Sequence, residues 1–482
     1  MILSRRFIAG VLATALILPA IAYPATPSDA PLSVSSTGIP GVEPPQLSPQ
    51  FWIGRLRAPN RVVLDSGEIT SRNALLTRLD ASMHDLDVLP ATLDHAQVAR
   101  WVGNVSHRPG GPLFDASGQA VDSAVLDTIV ANADLVNIPA QESSRFGLAV
   151  RRTDMRTFPT RLRVFSSTGD IDLDRFQESA LFPGTPVAIV HESQDHQWWF
   201  VLSPTYAAWV PKQAIAEGPR SQVLDYAHRR PSLTITGATV RTTTTPEEPR
   251  VSDLQLDMGV RLPQATLPAG QTVNGQNAAA SWVVLLPVRD DSGRLSLRPA
   301  LLPRSADTTA DALPLTRANT INQAFKFLGE RYGWGDDYGT RDCSGFVSAV
   351  FASMGVVLPR NTGDQARNPV YTRLHLDEAT PRNARTAAVD ALEVGDLVYI
   401  PGHVMLVIGR IGGVPYVIHD IHDGKFIDAN GVLQSLHLNG VVVTPLAPLQ
   451  LDADRTFVDG ITDIVRMLDG RPAPAAPVVL RQ

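Results

Sequence analysis

Three residues of this chain have the side chains and surroundings for nucleophilic chemistry: Cys343, His403 and His419. Cys343 is the only cysteine in 482 residues. One thiol excludes an intrachain disulfide framework, a cysteine-held zinc cluster and an iron–sulfur centre. It is either a buried inert thiol or a nucleophile, and its neighbours favour the nucleophile. Phe346, Val347, Val350, Phe351 and Met354 follow it at helical spacing, which predicts an apolar-faced helix from Cys343 to Gly355. A cysteine in the first turn of a helix meets free backbone amides and the positive end of the dipole. Both favour the thiolate a nucleophile needs.

Thiol chemistry also requires a base. Gly402-His403 opens the apolar run Val404–Ile408, and Gly412-Gly413 turns the chain back through Tyr416-Val417-Ile418-His419. If Ile408 opposes Val414, His403 opposes His419, with Cβ atoms about 5 Å apart on one sheet face. One histidine then acts as base and the other orients it. A slip of one residue would move His419 to the other face. His191 and His196 sit in a strand–turn region with no further ligands, so no metal is expected there, and thiol chemistry with a histidine base needs no metal or organic cofactor.

These residues need elements to hold them, and the chain is long enough for three or four domains. An apolar fraction of 44% supports several cores and excludes disorder throughout. A net charge of −6 argues against a broad grip on nucleic acid. With 35 glycines and 38 prolines, turns and loops are favoured over long helices. Residues 306–470 read as α then β. A helix is predicted over Thr320–Glu330, with Thr320 and Gln323 as a capping box, and strands over Leu397–Ile400, Val404–Ile408 and Tyr416–His419. Two upstream stretches, 146–222 and 223–305, carry short aromatic and β-branched runs broken by turns, the pattern of small β-barrels. Residues 50–145 hold short helical patterns, including Ser71–Leu86, and no chemical motif.

The ends differ in character. Arg5 and Arg6 precede an apolar run from Phe7 to Ala22 that closes on Ala20-Ile21-Ala22, the pattern of a secretory signal peptide over 1–22. The run is shorter than the ~20 residues of a membrane span, which favours cleavage over an uncleaved anchor. An exported chain without stable membrane insertion is expected, in the periplasm, the cell envelope or the medium. Residues 23–49 read as a flexible lead-in, and 471–482 as a loose tail.

Together, Tyr332-Gly-Trp-Gly335, Asp342-Cys-Ser-Gly345, Leu358-Pro-Arg360 through Gln365, Gly395-Asp-Leu397 and Gly402-His403 resemble the NlpC-type papain-like peptidases of bacterial cell walls. The resemblance implies Cys343 as nucleophile, His403 as base and His419 as the residue that orients it. It places Tyr332, Asp342, Ser344 and Thr362 at the substrate cleft, Thr362 where a serine is frequent. Upstream, Arg152-Thr-Asp-Met-Arg-Thr-Phe-Pro159 with Trp209, and Asp253 to Arg261, look like the paired SH3-like domains of multidomain members. The residues before them look like that subgroup's N-terminal stabilising region. The implied fold is an α+β papain-like peptidase domain behind two small SH3-like β-barrels and a mostly helical N-terminal region.

The implied activity is γ-D-glutamyl-diamino-acid endopeptidase cleavage of peptidoglycan stem peptides or muropeptides, with Tyr206 of the first SH3-like domain against the substrate amine. Asp342 is an acid beside the nucleophile and is expected to pair with a free α-ammonium. An amidase or acyl transferase on the same fold, and a non-catalytic wall-binding protein, remain alternatives. Diaminopimelate and lysine at the third stem position are both open.

Overall fold

The computed structural model describes residues 36–268 and 270–470. The expected signal peptide, the lead-in up to residue 35 and the tail from 471 lie outside the described residues. Among those described, no helix is long and apolar enough to cross a membrane.

The helical N-terminal region contains α1 (Ser66–Leu79), α2 (His95–Val105) and α3 (Ser123–Asn132). The predicted Ser71–Leu86 helix begins and ends earlier, because Asp65 and Glu68 close a capping box ahead of it. This region is docked on the C-terminal domain. Asn73 of α1 donates to the Gly355 carbonyl at 2.8 Å and accepts from the Val357 amide at 3.1 Å. Residues 36–49 are not the loose lead-in expected of them. Val42 is fully buried, the Tyr416 hydroxyl donates to the Gly41 carbonyl at 2.7 Å, and the Trp52 indole donates to the Gln46 carbonyl at 2.8 Å. A Pro/Gly-rich segment has no periodicity of its own to read, yet a few apolar anchors suffice to pin it.

The next unit is one seven-stranded antiparallel sheet of β1 (Arg145–Ala149), β2 (Thr153–Arg156), β3 (Gln177–Leu181), β4 (Pro186–Glu192), β5 (Trp198–Leu202), β6 (Ala207–Pro211) and β7 (Ile215–Gly218), ordered β3-β2-β6-β5-β4-β1-β7. All five residues of β5 are buried, so the sheet is covered on both faces. Trp209 packs edge-on against Phe200 at 5.5 Å, and its indole donates to the Ser106 hydroxyl at 3.0 Å. The helix α4 (Arg220–His228) follows.

The described residues between 232 and 310 form a three-stranded sheet, a separate long ribbon and two short two-stranded pairs. The sheet joins β8 (Ser232–Ile235), β9 (Arg261–Pro263) and β12 (Thr308–Ala310), with β8 central. The ribbon pairs β10 (Ser281–Arg289) with β11 (Leu295–Pro303). Its turn is closed by Asp290, whose carboxylate accepts from the Ser292 and Arg294 amides at 2.9 and 2.8 Å.

The C-terminal domain packs α5 (Arg317–Phe325) and α6 (Cys343–Ala352) on a six-stranded antiparallel sheet. Its strands are β13 (Thr372–His375), β14 (Asp396–Ile400), β15 (His403–Ile411), β16 (Val414–Ile427), β17 (Leu433–Pro445) and β18 (Asp463–Arg466), ordered β13-β18-β14-β15-β16-β17. Thr316 caps α5 by accepting from the Asn319 amide at 3.0 Å. Thr320, predicted as the cap, is one turn inside the helix, where its hydroxyl donates to the Thr316 carbonyl at 2.9 Å. Two threonines four residues apart both suit a cap, and the chain entering from Pro314 selects the first. Phe346, Val347, Val350 and Phe351 of α6 pack with Leu397, Tyr399, Val404, Leu406 and Ile418 in one core. Met405, Val407, Val417 and Ile421 face a second core across the sheet.

Candidate active site

Asp342 is the N-cap of α6: its side chain accepts from the Gly345 amide at 2.8 Å, which sets Cys343 as the first helical residue. Glycine is required at 345, because a Cβ there would lie 2.2 Å from the Asp336 carboxylate. Arg360 holds the same corner. Its guanidinium donates to Asp342 at 2.7 and 3.2 Å, to the Ser344 hydroxyl at 2.7 Å and to the Ser179 hydroxyl of β3 at 2.7 Å, and it lies 3.2 Å from Asp336. One buried cation thus fixes two acids, the nucleophile helix and the neighbouring β-domain. With the Gly335 amide also donating to it at 3.1 Å, the Asp342 carboxylate is occupied by the chain itself. Against the upward push of burial, Arg360 and these donors hold it below the usual carboxylate range.

Cys343 is only 4% exposed, and its Sγ lies 3.9 Å from the Gly402 carbonyl in the β14–β15 turn. The next residue is His403. Its Nε2 is 2.8 Å from His419 Nδ1, and His419 Nε2 is 3.0 Å from the Thr444 hydroxyl. The structure therefore brings Cys343, His403 and His419 to one place.

The pairing that does so differs from the expected register. Ile411 pairs with Val414 and Gly409 with Tyr416 across the Gly412-Gly413 turn, so the Ile408–Val414 pair does not form. Continued unbroken, that ladder would set the two histidines on opposite faces. A bulge at Ile408 shifts it by one, so that Val407 meets Val417 and Leu406 meets Ile418. His419 returns to the face of His403, diagonal to it rather than opposite, within reach of two imidazole rings. The bulge sits where a Cβ on Gly409 would come within 2.7 Å of Trp52.

Asp420 points the other way. Both its carboxyl oxygens are buried without a hydrogen bond, and burial, then the charge of Asp342, pushes its pKa well up, so that it holds its proton.

Protonation departs from the helix-dipole expectation. Burial, then the Asp342 carboxylate, pushes the Cys343 thiol above its usual range rather than below it. Burial pulls His403 down to about 4 and His419 well below the ordinary imidazole value. The resting pair is a thiol beside a neutral imidazole, since the dipole of one helix does not outweigh loss of water around sulfur.

Tyr332 is buried, and burial followed by the charges of Cys343 and Asp342 raises its phenol. Ser344 is buried under Arg360. Thr362 begins the short Thr362–Ala366 helix. Tyr206 donates to the Glu178 carboxylate at 2.6 Å. Burial, then Glu178, raises the pKa of that phenol. Thr444, Glu178 and Asp336 carried no sequence signal. Arg360 stood inside a motif without a role, because its partners lie 18 and 181 residues away.

An α+β helix-on-sheet domain with a cysteine at the helix start and a histidine on the facing strand is papain-like, and comparison with known proteins agrees. Residues 329–444 match the NlpC/P60 family, and residues 163–211 match an SH3 domain of the SH3b1 type. The chain thus carries an NlpC/P60 domain preceded by an SH3 domain. The second expected SH3-like domain, 223–305, is not shown by these matches.

The gamma-D-glutamyl-L-lysine dipeptidyl-peptidase of Bacillus cereus (strain ATCC 10987 / NRS 248) is 27% identical over 288 residues, covering 52% of this chain and 79% of that one. The probable endopeptidase p60 of Listeria seeligeri is 45% identical over 62 residues, which is 13% of this chain and only 12% of the p60 protein. A solved NlpC/P60 endopeptidase from Photobacterium damselae subsp. piscicida superposes with a TM-score of 0.69 at 18% identity, over 86% of this chain and 96% of that one, a likeness of fold.

Proposed function

We propose that this protein is an exported cysteine peptidase that hydrolyses the γ-D-glutamyl-diamino acid bond of peptidoglycan stem peptides. The observation that carries the reading is the His403 Nε2–His419 Nδ1 contact of 2.8 Å beside Cys343. Of the two proton arrangements along His403, His419 and Thr444, one leaves the His403 Nδ1 lone pair free. In it His403 Nε2–H donates to His419, and His419 Nε2–H donates to Thr444.

Nδ1 then takes the Cys343 proton as sulfur attacks the γ-carbonyl. The carbonyl oxygen becomes an oxyanion, met by the backbone amide at the start of α6. The C–N bond breaks as His403 returns its proton to the leaving amine. Water, deprotonated by His403, releases the thioester as a carboxylate and restores the thiol.

Two groups from the SH3 domain support selection of a free N-terminus. The Tyr206–Glu178 pair supplies a carboxylate where Asp342 has none to spare, and a free L-alanine ammonium would pair with Glu178. An acylated or sugar-linked N-terminus would leave that site without its cation. Free stem tripeptides should therefore be cut much faster than sugar-linked stems, measured side by side by mass spectrometry of the products. A freed dipeptide supports the reading. Whole stems released from sugar would mark an amidase, and equal rates on both substrates would overturn the free-amine rule.

His403→Ala should remove nearly all activity, because no other group can move the proton. His419→Ala and Thr444→Val should cost less, roughly 10–100-fold in kcat, since they only hold the base in its tautomer. Equal losses for His403→Ala and Thr444→Val would contradict these roles.

The pH dependence has a definite sign. The base must be neutral in the free enzyme, and burial holds His403 neutral down to about 4. The ratio kcat/KM should stay level as pH falls through 6.5 and decline only near the lower value. An acid limb at about 6.5, the ordinary histidine value, would show that His403 is solvated.

A further inference from the structure

We propose that Asp172, His422 and His437 form a binding site for a zinc ion that ties the SH3 domain to the β16–β17 hairpin of the peptidase domain. One ligand atom from each of the three lies within 4.8 Å of the other two. His422 Nε2 and the Asp172 carboxylate are already 3.5 Å apart. A tetrahedral zinc ion bound at about 2.0–2.2 Å sets its ligand atoms about 3.3 Å from one another. Only His437 needs to close in, and its side chain is 59% exposed, with room to shift while it keeps its bond to Asp423.

The surroundings are those of a ligating set. Asp423 accepts from His422 Nδ1 at 2.6 Å and from His437 Nδ1 at 2.9 Å. One carboxylate thus fixes both imidazoles with protons on Nδ1 and lone pairs on Nε2, the outer-shell arrangement that orients histidines towards a metal. His422 Nε2 is buried without a hydrogen bond, and so is Asn439 Oδ1, whose amide donates to Asp172 at 3.1 Å. Two orphaned acceptors beside a carboxylate make a pocket of lone pairs that needs a cation. Arg331 also pairs with Asp172 and opposes a second positive charge, while Asp423 offsets it. Two imidazoles and one carboxylate suit zinc rather than calcium or magnesium.

The backbone is shaped for this. Between the Ile421–Gly440 and Asp423–His437 pairs, the single residue His422 faces two on β17, and Asn439 takes a left-handed conformation, φ 44°. Such a bulge re-aims side chains. The ion would also bear on the cleft. The Tyr332 ring lies 6.0 Å from that of His422, and the Tyr332 amide donates to the Asn439 carbonyl at 3.1 Å. Bound zinc would brace the wall that carries Tyr332.

The test uses the full chain with Cys343→Ala, so that the catalytic thiol cannot capture metal. Calorimetric titration with zinc should give one saturable equivalent and a higher melting temperature. Cobalt in its place should give the visible absorption of a four-coordinate site. His437→Ala, an exposed change that leaves the core intact, should abolish that equivalent. Asp423→Asn should weaken it roughly 10–100-fold. No saturable uptake, or uptake unchanged in both variants, would overturn the proposal. So would nitrogen NMR showing His422 protonated on both ring atoms at pH 7 with zinc present, since that makes it an imidazolium held between Asp172 and Asp423.

Discussion

Cys343→Ala should abolish peptide hydrolysis, by at least about 10⁴-fold, while the chain keeps its fold. The thiol is the only group at the start of α6 that can form the covalent intermediate, since Asp342 and Ser344 on either side are both engaged by Arg360. Alanine is the best helix former and removes a single buried atom, so the melting temperature should barely move. Cys343→Ser should be nearly as inactive. Burial that already raises a thiol would leave an alcohol far from ionisation at any working pH. The measurement is dipeptide release from a free stem tripeptide, alongside a thermal melt. Appreciable turnover in either variant would remove Cys343 from the mechanism.

Arg360→Ala should be the most damaging change for stability. Its guanidinium is buried among Asp336, Asp342, Ser179 and Ser344. Without it, two carboxylates remain in the interior with no direct ion pair, only the weaker pull of Arg152 and Arg341 on Asp336, a loss on the order of 3–5 kcal/mol. Asp336, whose pKa burial already raises, would then take up a proton to stay buried. The N-cap of the nucleophile helix would loosen, and activity would fall with stability. Arg360→Lys keeps the charge but not the fork that reaches both Asp342 and Ser179, so it should recover only part of the loss. Denaturant midpoints order the three proteins. A midpoint for Arg360→Ala equal to that of the parent chain would mean that the acids are solvated and the corner is not closed.

Much of the site was legible in the residues alone. Cys343 announces its helix because caps and a 3.6-residue period act over a few neighbouring positions. His403 announces its strand in the same way, through Gly402 before it and alternation after it. The relation between His403 and His419 was not legible in full. Face depends on whether the ladder slips by an odd or even number of residues, and the bulge that decides this at Ile408 lies beside Trp52, far away in the chain. The expected thiolate failed for a related reason: a helix end is a local feature, whereas desolvation depends on everything packed around the sulfur.

Two further features belong to tertiary structure alone. Arg360 reaches Ser179, and Asp172 meets His422 and His437, in each case across a domain boundary. No periodicity in a sequence encodes which surface of one domain will lie against another. By itself the sequence singled out Cys343 and His403 and the elements that carry them, because short-range physics writes those. The folded chain alone decided which face His419 takes, which acid Arg360 closes off and which groups the SH3 domain lends to the site, because these depend on packing between segments far apart in the chain.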